Sequence, residues 1–117
     1  MRRVLLVVAV VVLLAPGLAL AQQSRTYDKG LETVWDHAVK AARDVNFVVV
    51  DSNREDHVLI IRTTSKLSHK RGLEMRVGLQ GDLERTAVTV SAVDPSRRDK
   101  AQKHIAKYLE QLDRRLE

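Results

Sequence analysis

The spacing of apolar residues changes twice along this 117-residue chain, and that double change constrains the fold more than any other feature. Leu31, Val34, Trp35, Ala38, Ala41, Ala42 and Val45 recur at steps of three and four, which is one face of a helix. From Phe47 to Ala92 the step becomes two or the run becomes continuously apolar, which is the pattern of strands. Ala101, Ile105, Tyr108, Leu109, Leu112 and Leu116 then return to the helical step. A chain that reads helix, strands, helix has two amphipathic helices and a sheet to bury against one another. It therefore predicts an α+β two-layer domain with both helices on one face of an antiparallel sheet.

Individual boundaries follow from local chemistry. Asp36 and Lys40 form a favourable i,i+4 pair on the polar side of the first helix. Asn46 tolerates the left-handed conformation that ends many helices. Four strands are expected, at Phe47–Asp51, Val58–Thr64, Leu73–Gln80 and Ala87–Ala92, joined as a meander. Turns are expected at 52–56 and at Gly81-Asp82, with a longer polar loop at Ser65–Arg71 closed by Gly72. The segment Arg25–Lys29 reads as a short edge strand leading in. Asp94-Pro95 opens the last helix, capped by Asp94 or by a Ser96–Asp99 box.

Ahead of this domain the composition is different. Of the first 21 residues 17 are apolar; Arg2 and Arg3 precede an unbroken run from Val4 to Ala15, Pro16-Gly17 interrupts it, and Ala19-Leu20-Ala21 presents small residues one apart. That is the grammar of a cleaved secretory signal. An uncleaved anchor is the rival reading, and Val4–Ala21 has the minimum length for one. The expected organisation is a signal peptide at 1–21, a short linker at 22–26 and a single domain at 27–117, placed in the periplasm or secreted, with no membrane span once the leader is removed. With no cysteine, the domain has no disulfide to rely on and depends on its core.

The stretch Tyr27 to Arg62, YDKGLETVWDHAVKAARDVNFVVVDSNREDHVLIIR, carries a Val-Trp inside the first helix, an Asn before Phe, a β-strand and an acidic hairpin returning into apolar residues. In this it resembles small bacterial envelope domains of β-α-β4-α helix-grip arrangement, and it is similar to the repeated domains of the outer-membrane assembly lipoprotein BamC. The residues of the resemblance, Val34, Trp35, Phe47 and Ile60, are core types. It therefore implies a fold, helix-grip-like with a four-stranded meander, and an envelope location, and it brings no catalytic residues.

Signs of chemistry are few. His37, His57, His69 and His104 show no metal-ligand spacing, and the chain has no nucleophile elbow, phosphate-cradling glycine loop or dinucleotide fingerprint. The paired acids Glu55-Asp56 and Asp82/Glu84 fall in turns. No cofactor and no metal are expected, and the chain reads as a non-enzymatic module. Its four aromatic residues beyond the leader, Tyr27, Trp35, Phe47 and Tyr108, all suit core positions. No ring is left for stacking on sugars or single-stranded nucleic acid, so nucleic acid is not an expected partner.

Charge is unevenly distributed. Residues 28–56 carry seven acids and four bases, whereas residues 57–117 carry eight acids and thirteen bases. Arg62, Lys66, Lys70 and Arg71 cluster around the long loop, and Arg97 and Arg98 crowd the start of the last helix. These six form a candidate site for an anionic lipid, lipopolysaccharide or an acidic protein. The first two strands are apolar on both faces, so part of Val48, Val50, Leu59 and Ile61, or their alternates, forms a candidate outer-face interface for another envelope protein or a second copy of the chain. The alternative is a small-ligand carrier with a cavity between the last helix and the sheet, lined by Met75, Tyr108 and Leu112.

Overall fold

The computed structural model describes residues 22–64 and 72–117. The expected leader, and Lys66, His69, Lys70 and Arg71, lie outside them. The elements run β1 (Gln22–Tyr27), α1 (Leu31–Asp44), β2 (Val48–Asn53), β3 (Val58–Arg62), β4 (Glu74–Gly81), β5 (Thr86–Ala92), a 3-10 turn at Pro95–Arg97 and α2 (Arg98–Leu116). All pairings are antiparallel, in the order β1-β5-β4-β3-β2, and α1 and α2 pack on each other and on one face of the sheet. The result is an α+β two-layer domain.

The sheet has five strands, the expected four-stranded meander and β1, which begins and ends earlier than the short edge strand expected at Arg25–Lys29. Residues 22–26, read above as a linker, lie in β1, which pairs with β5 along its whole length from Gln22↔Ser91 to Tyr27↔Thr86. The sequence of β1 hides this because QQSRTY has no apolar alternation. Its inward residues are held by polar bonds instead. Tyr27 donates its hydroxyl to Asp113 on α2 at 2.6 Å, Arg25 pairs with the same carboxylate, and Gln23 approaches Gln102. Burial, and then the bond to Asp113, push the Tyr27 phenol well above its ordinary range, so it stays a donor.

Helix α1 begins without a side-chain cap at Gly30. Its first amide is satisfied by the Asp82 carbonyl at 2.9 Å, which ties the β4–β5 turn to the helix. It ends as expected at Asn46, whose φ is 63°. Phe47 N–H donates to the Ala42 carbonyl and Asn46 N–H to Arg43, the paired bonds of a Schellman motif. Asp94 caps the 3-10 turn that leads into α2, accepting from Ser96 N–H at 3.0 Å and from its hydroxyl at 2.7 Å, while α2 itself begins after Arg97 without a side-chain cap.

The core lies between sheet and helices. Leu59, Ile61, Met75, Val77, Val88 and Val90 face Val34, Ala38, Ile105, Tyr108, Leu109 and Leu112. Tyr108 is fully buried and donates its hydroxyl to the Ala38 carbonyl of α1 at 2.8 Å, so the one polar atom it brings into the interior is satisfied.

Candidate functional site

The basic clusters separated in sequence meet in part at one end of the sheet. Arg62 is the last residue of β3. Beyond it, Thr63 and Leu73 continue the pairing by a backbone bond of 3.0 Å and by a bond from Leu73 N–H to the Thr63 hydroxyl at 2.9 Å. From the other side, Val93 N–H donates to the Glu74 carbonyl at 3.0 Å, which brings the segment after β5 against the start of β4. The Asp94 cap then turns the chain so that Arg97 faces the same space. A cleft of about 460 Å³ results, with Arg62, Thr63, Thr64, Arg97, Glu74 and Asp94 as its polar lining and Val48, Leu73, Ala92 and Val93 as an apolar wall.

Gly72 also lines this cleft, and here the glycine is required. A Cβ would lie 2.0 Å from the Thr63 carbonyl oxygen and 2.7 Å from the Arg62 side chain, so no other residue permits β4 to start beside Arg62. Of the six predicted cations, Arg62 and Arg97 line the cleft. Arg98 begins α2 and does not line it, while Lys66, Lys70 and Arg71 lie outside the described residues. The acids are partly committed: the Ser96 hydroxyl and amide hold the Asp94 carboxyl below the usual range, so it remains an acceptor for its own turn.

The predicted outer-face interface needs correction. Val48 and Val50 are 39% and 44% exposed, but Leu59 and Ile61 have no exposed surface. Leu59 pairs with Val77 and Ile61 with Met75, residues whose alternation points unambiguously at the helices, so the register carries Leu59 and Ile61 inward. Their half-buried neighbours Val58 and Ile60 take the outer face. On β2 an extra residue, Val50, interrupts the pairing between Val49↔Ile61 and Asp51↔Ile60. This bulge gives the edge strand an irregularity that blunts strand addition. Arg76 and Gly78 join Val58 and Ile60 on the outer face, as the alternation of β4 implies.

Two histidines pack against neighbouring side chains. His57, in a left-handed conformation at the tip of the β2–β3 turn, lies 3.2 Å from Glu32 and edge-on to the Trp35 ring. The bonds to His57 and Arg54 hold the Glu32 carboxyl below its ordinary value. His104 packs on Phe47 and is pushed down by burial and by Lys103 and Lys107. Among the described residues no group of three His, Cys, Asp or Glu is placed to hold a metal ion, and no helix is long and apolar enough to cross a membrane. Met75, Tyr108 and Leu112, the expected lining of a carrier cavity, are fully buried core residues. No protein-family model matches the chain, and no curated protein matches it.

Proposed function

We propose that this chain is exported and acts without catalysis as a binding module of the bacterial cell envelope, taking the phosphate-bearing headgroup of an anionic lipid in the cleft at the end of β3. One observation carries the reading. Arg62 and Arg97, from opposite halves of the domain, line a single cleft with an apolar wall of Val48, Leu73, Ala92 and Val93, and of its two acids Asp94 is committed to Ser96. Two guanidinium groups suit a phosphate, the Thr63 hydroxyl accepts from Leu73 N–H and keeps its own proton to donate, and Val48 and Val93 offer a surface to the first carbons of an acyl chain. Residues 65–71, between β3 and β4 in the sequence, include Lys66, Lys70 and Arg71 and no acid. The signal-like leader and the helix-grip-like order of elements, similar to BamC domains, support an envelope location.

Co-sedimentation with vesicles tests the proposal. Binding is expected to phosphatidylcholine vesicles containing phosphatidylglycerol at low salt, to weaken as salt screens the cations, and to fall about tenfold or more on R62E/R97E, given roughly 1 kcal/mol per basic residue near an anionic surface. The reversal R114E, on the exposed last turn of α2, serves as the control. Equal binding to pure phosphatidylcholine, or binding indifferent to R62E/R97E, overturns it. Competition by inorganic phosphate separates recognition of the phosphate group from recognition of the membrane surface.

A further inference from the structure

We propose that the outer face of the sheet is a homodimer interface, in which two copies stack face to face about a two-fold axis running along β3. The register supplies the first observation. Asp51 on β2, Ile60 on β3 and Arg76 on β4 lie side by side in one row across the strands, so the open face reads negative, apolar, positive. They line a shallow recess of about 550 Å³. Asp51 and Arg76 are exposed, and neither has a salt-bridge or side-chain hydrogen-bond partner among the described residues. A two-fold axis along β3 sets Ile60 on Ile60 of the second copy. It also sets each Arg76 over the other copy's Asp51, giving two reciprocal ion pairs about an apolar centre. Such an isologous contact requires a self-complementary patch, and this row is one. An axis across the strands sets Arg76 on Arg76 and is disfavoured by like-charge repulsion.

Gly78 supplies a second, independent observation. It sits in the interior of β4 at a backbone conformation open to any residue, and a Cβ there meets nothing within 4 Å. Nothing in the single chain requires glycine, although glycine weakens a strand interior. Such a residue marks a place where something outside approaches closely. The neighbouring row is Asn53–Val58–Gly78, so the same axis lays Asn53 of the second copy over the bare strand at Gly78. Asp56 is engaged by Asn53. Arg62 also lies on β3, so the axis brings it against Arg62 of the second copy, and a Glu74 from each copy, beside Arg62 on β4, offsets that repulsion. Asp51, Ile60, Arg76 and Gly78, the positions varied below, do not line the lipid-binding cleft, which keeps the two proposals separable.

The test uses the full-length chain, expressed and purified as exported, in sedimentation velocity up to about 100 µM, a range that detects weak dimers. Dimer is expected. R76D and D51R are each expected to weaken it about tenfold or more, and D51R/R76D to restore it, because the swap re-forms both pairs. G78V is expected to weaken association by a similar factor while leaving or raising the thermal midpoint of the dilute monomer. The chain has no cysteine, so I60C treated with a short bis-maleimide is expected to trap dimer, while L83C, at a 92% exposed site off this face, does not. A monomer throughout the range, singles that weaken without rescue by the swap, or G78V that associates normally overturns the proposal.

Discussion

Leu59 and Ile61 have no exposed surface, while Val58 and Ile60 on the same strand remain half-buried on the opposite side. All four are large and apolar, and nothing in their composition distinguishes them. What differs is what they meet. The inner pair packs against Met75, Val77 and the two helices, whereas the outer pair shares its face with Asp51, Arg76 and the uncovered backbone of Gly78. Stability is therefore concentrated on one side of the sheet, and the other side is available for a partner.

The sharpest way to break this comparison is to truncate both sides. I61A is expected to destabilise the monomer by about 2–5 kcal/mol, since it removes buried methylenes and leaves a cavity. I60A is expected to cost less than about 1 kcal/mol in the dilute monomer. Urea unfolding measures both, and equal costs would mean that the outer face is packed as tightly as the inner one. Next in size, D113A is expected to cost about 1–3 kcal/mol by leaving the buried Tyr27 hydroxyl without its acceptor, read in the same assay. It should also raise amide exchange in β1 more than in β3, because β1 is held to α2 by that carboxylate. Y108F removes one bond from the Ala38 carbonyl, which stays in the α1 ladder, and is expected to cost about 0.5–1.5 kcal/mol.

The smallest effect is in acid. Arg115, with Gln111, holds the Asp44 carboxyl down at about 2, joining the ends of α1 and α2. A depressed pKa contributes stability that is fully present above the ordinary carboxylate range, near pH 4, and is lost as pH falls toward 2. The urea midpoint of D44N is thus expected to lie below that of the unaltered chain at pH 5 and to converge with it between about pH 4 and pH 2. A constant gap over that window would show that the bond, and not the charge, carries the contribution.

Much of the architecture was legible because it rests on local rules. The α1 face from Leu31 to Val45, its stop at Asn46, the alternation of β4 and the Asp94-Pro95 start of the last helical segment all depend on residues a few positions apart. Strand β1 was only partly legible, since its inward side is polar and its bonds go to a helix at the far end of the chain. The cleft was half legible: both basic clusters stand out in the sequence, but only the folded chain brings Arg62 and Arg97 into the lining of one cleft and leaves Arg98 out of it.

The sequence by itself determined the class of the domain, because a helical period followed by a strand period and a second helical period admits few ways to bury every apolar face. It left undecided which half of Val58-Leu59-Ile60-Ile61 turns inward, since a run that is apolar throughout has a period but no phase. The tertiary structure decided that, through pairing with β4, whose own alternation has a phase to pass on. The same register then placed Asp51, Ile60 and Arg76 in one row, a relation between three strands that no local pattern contains.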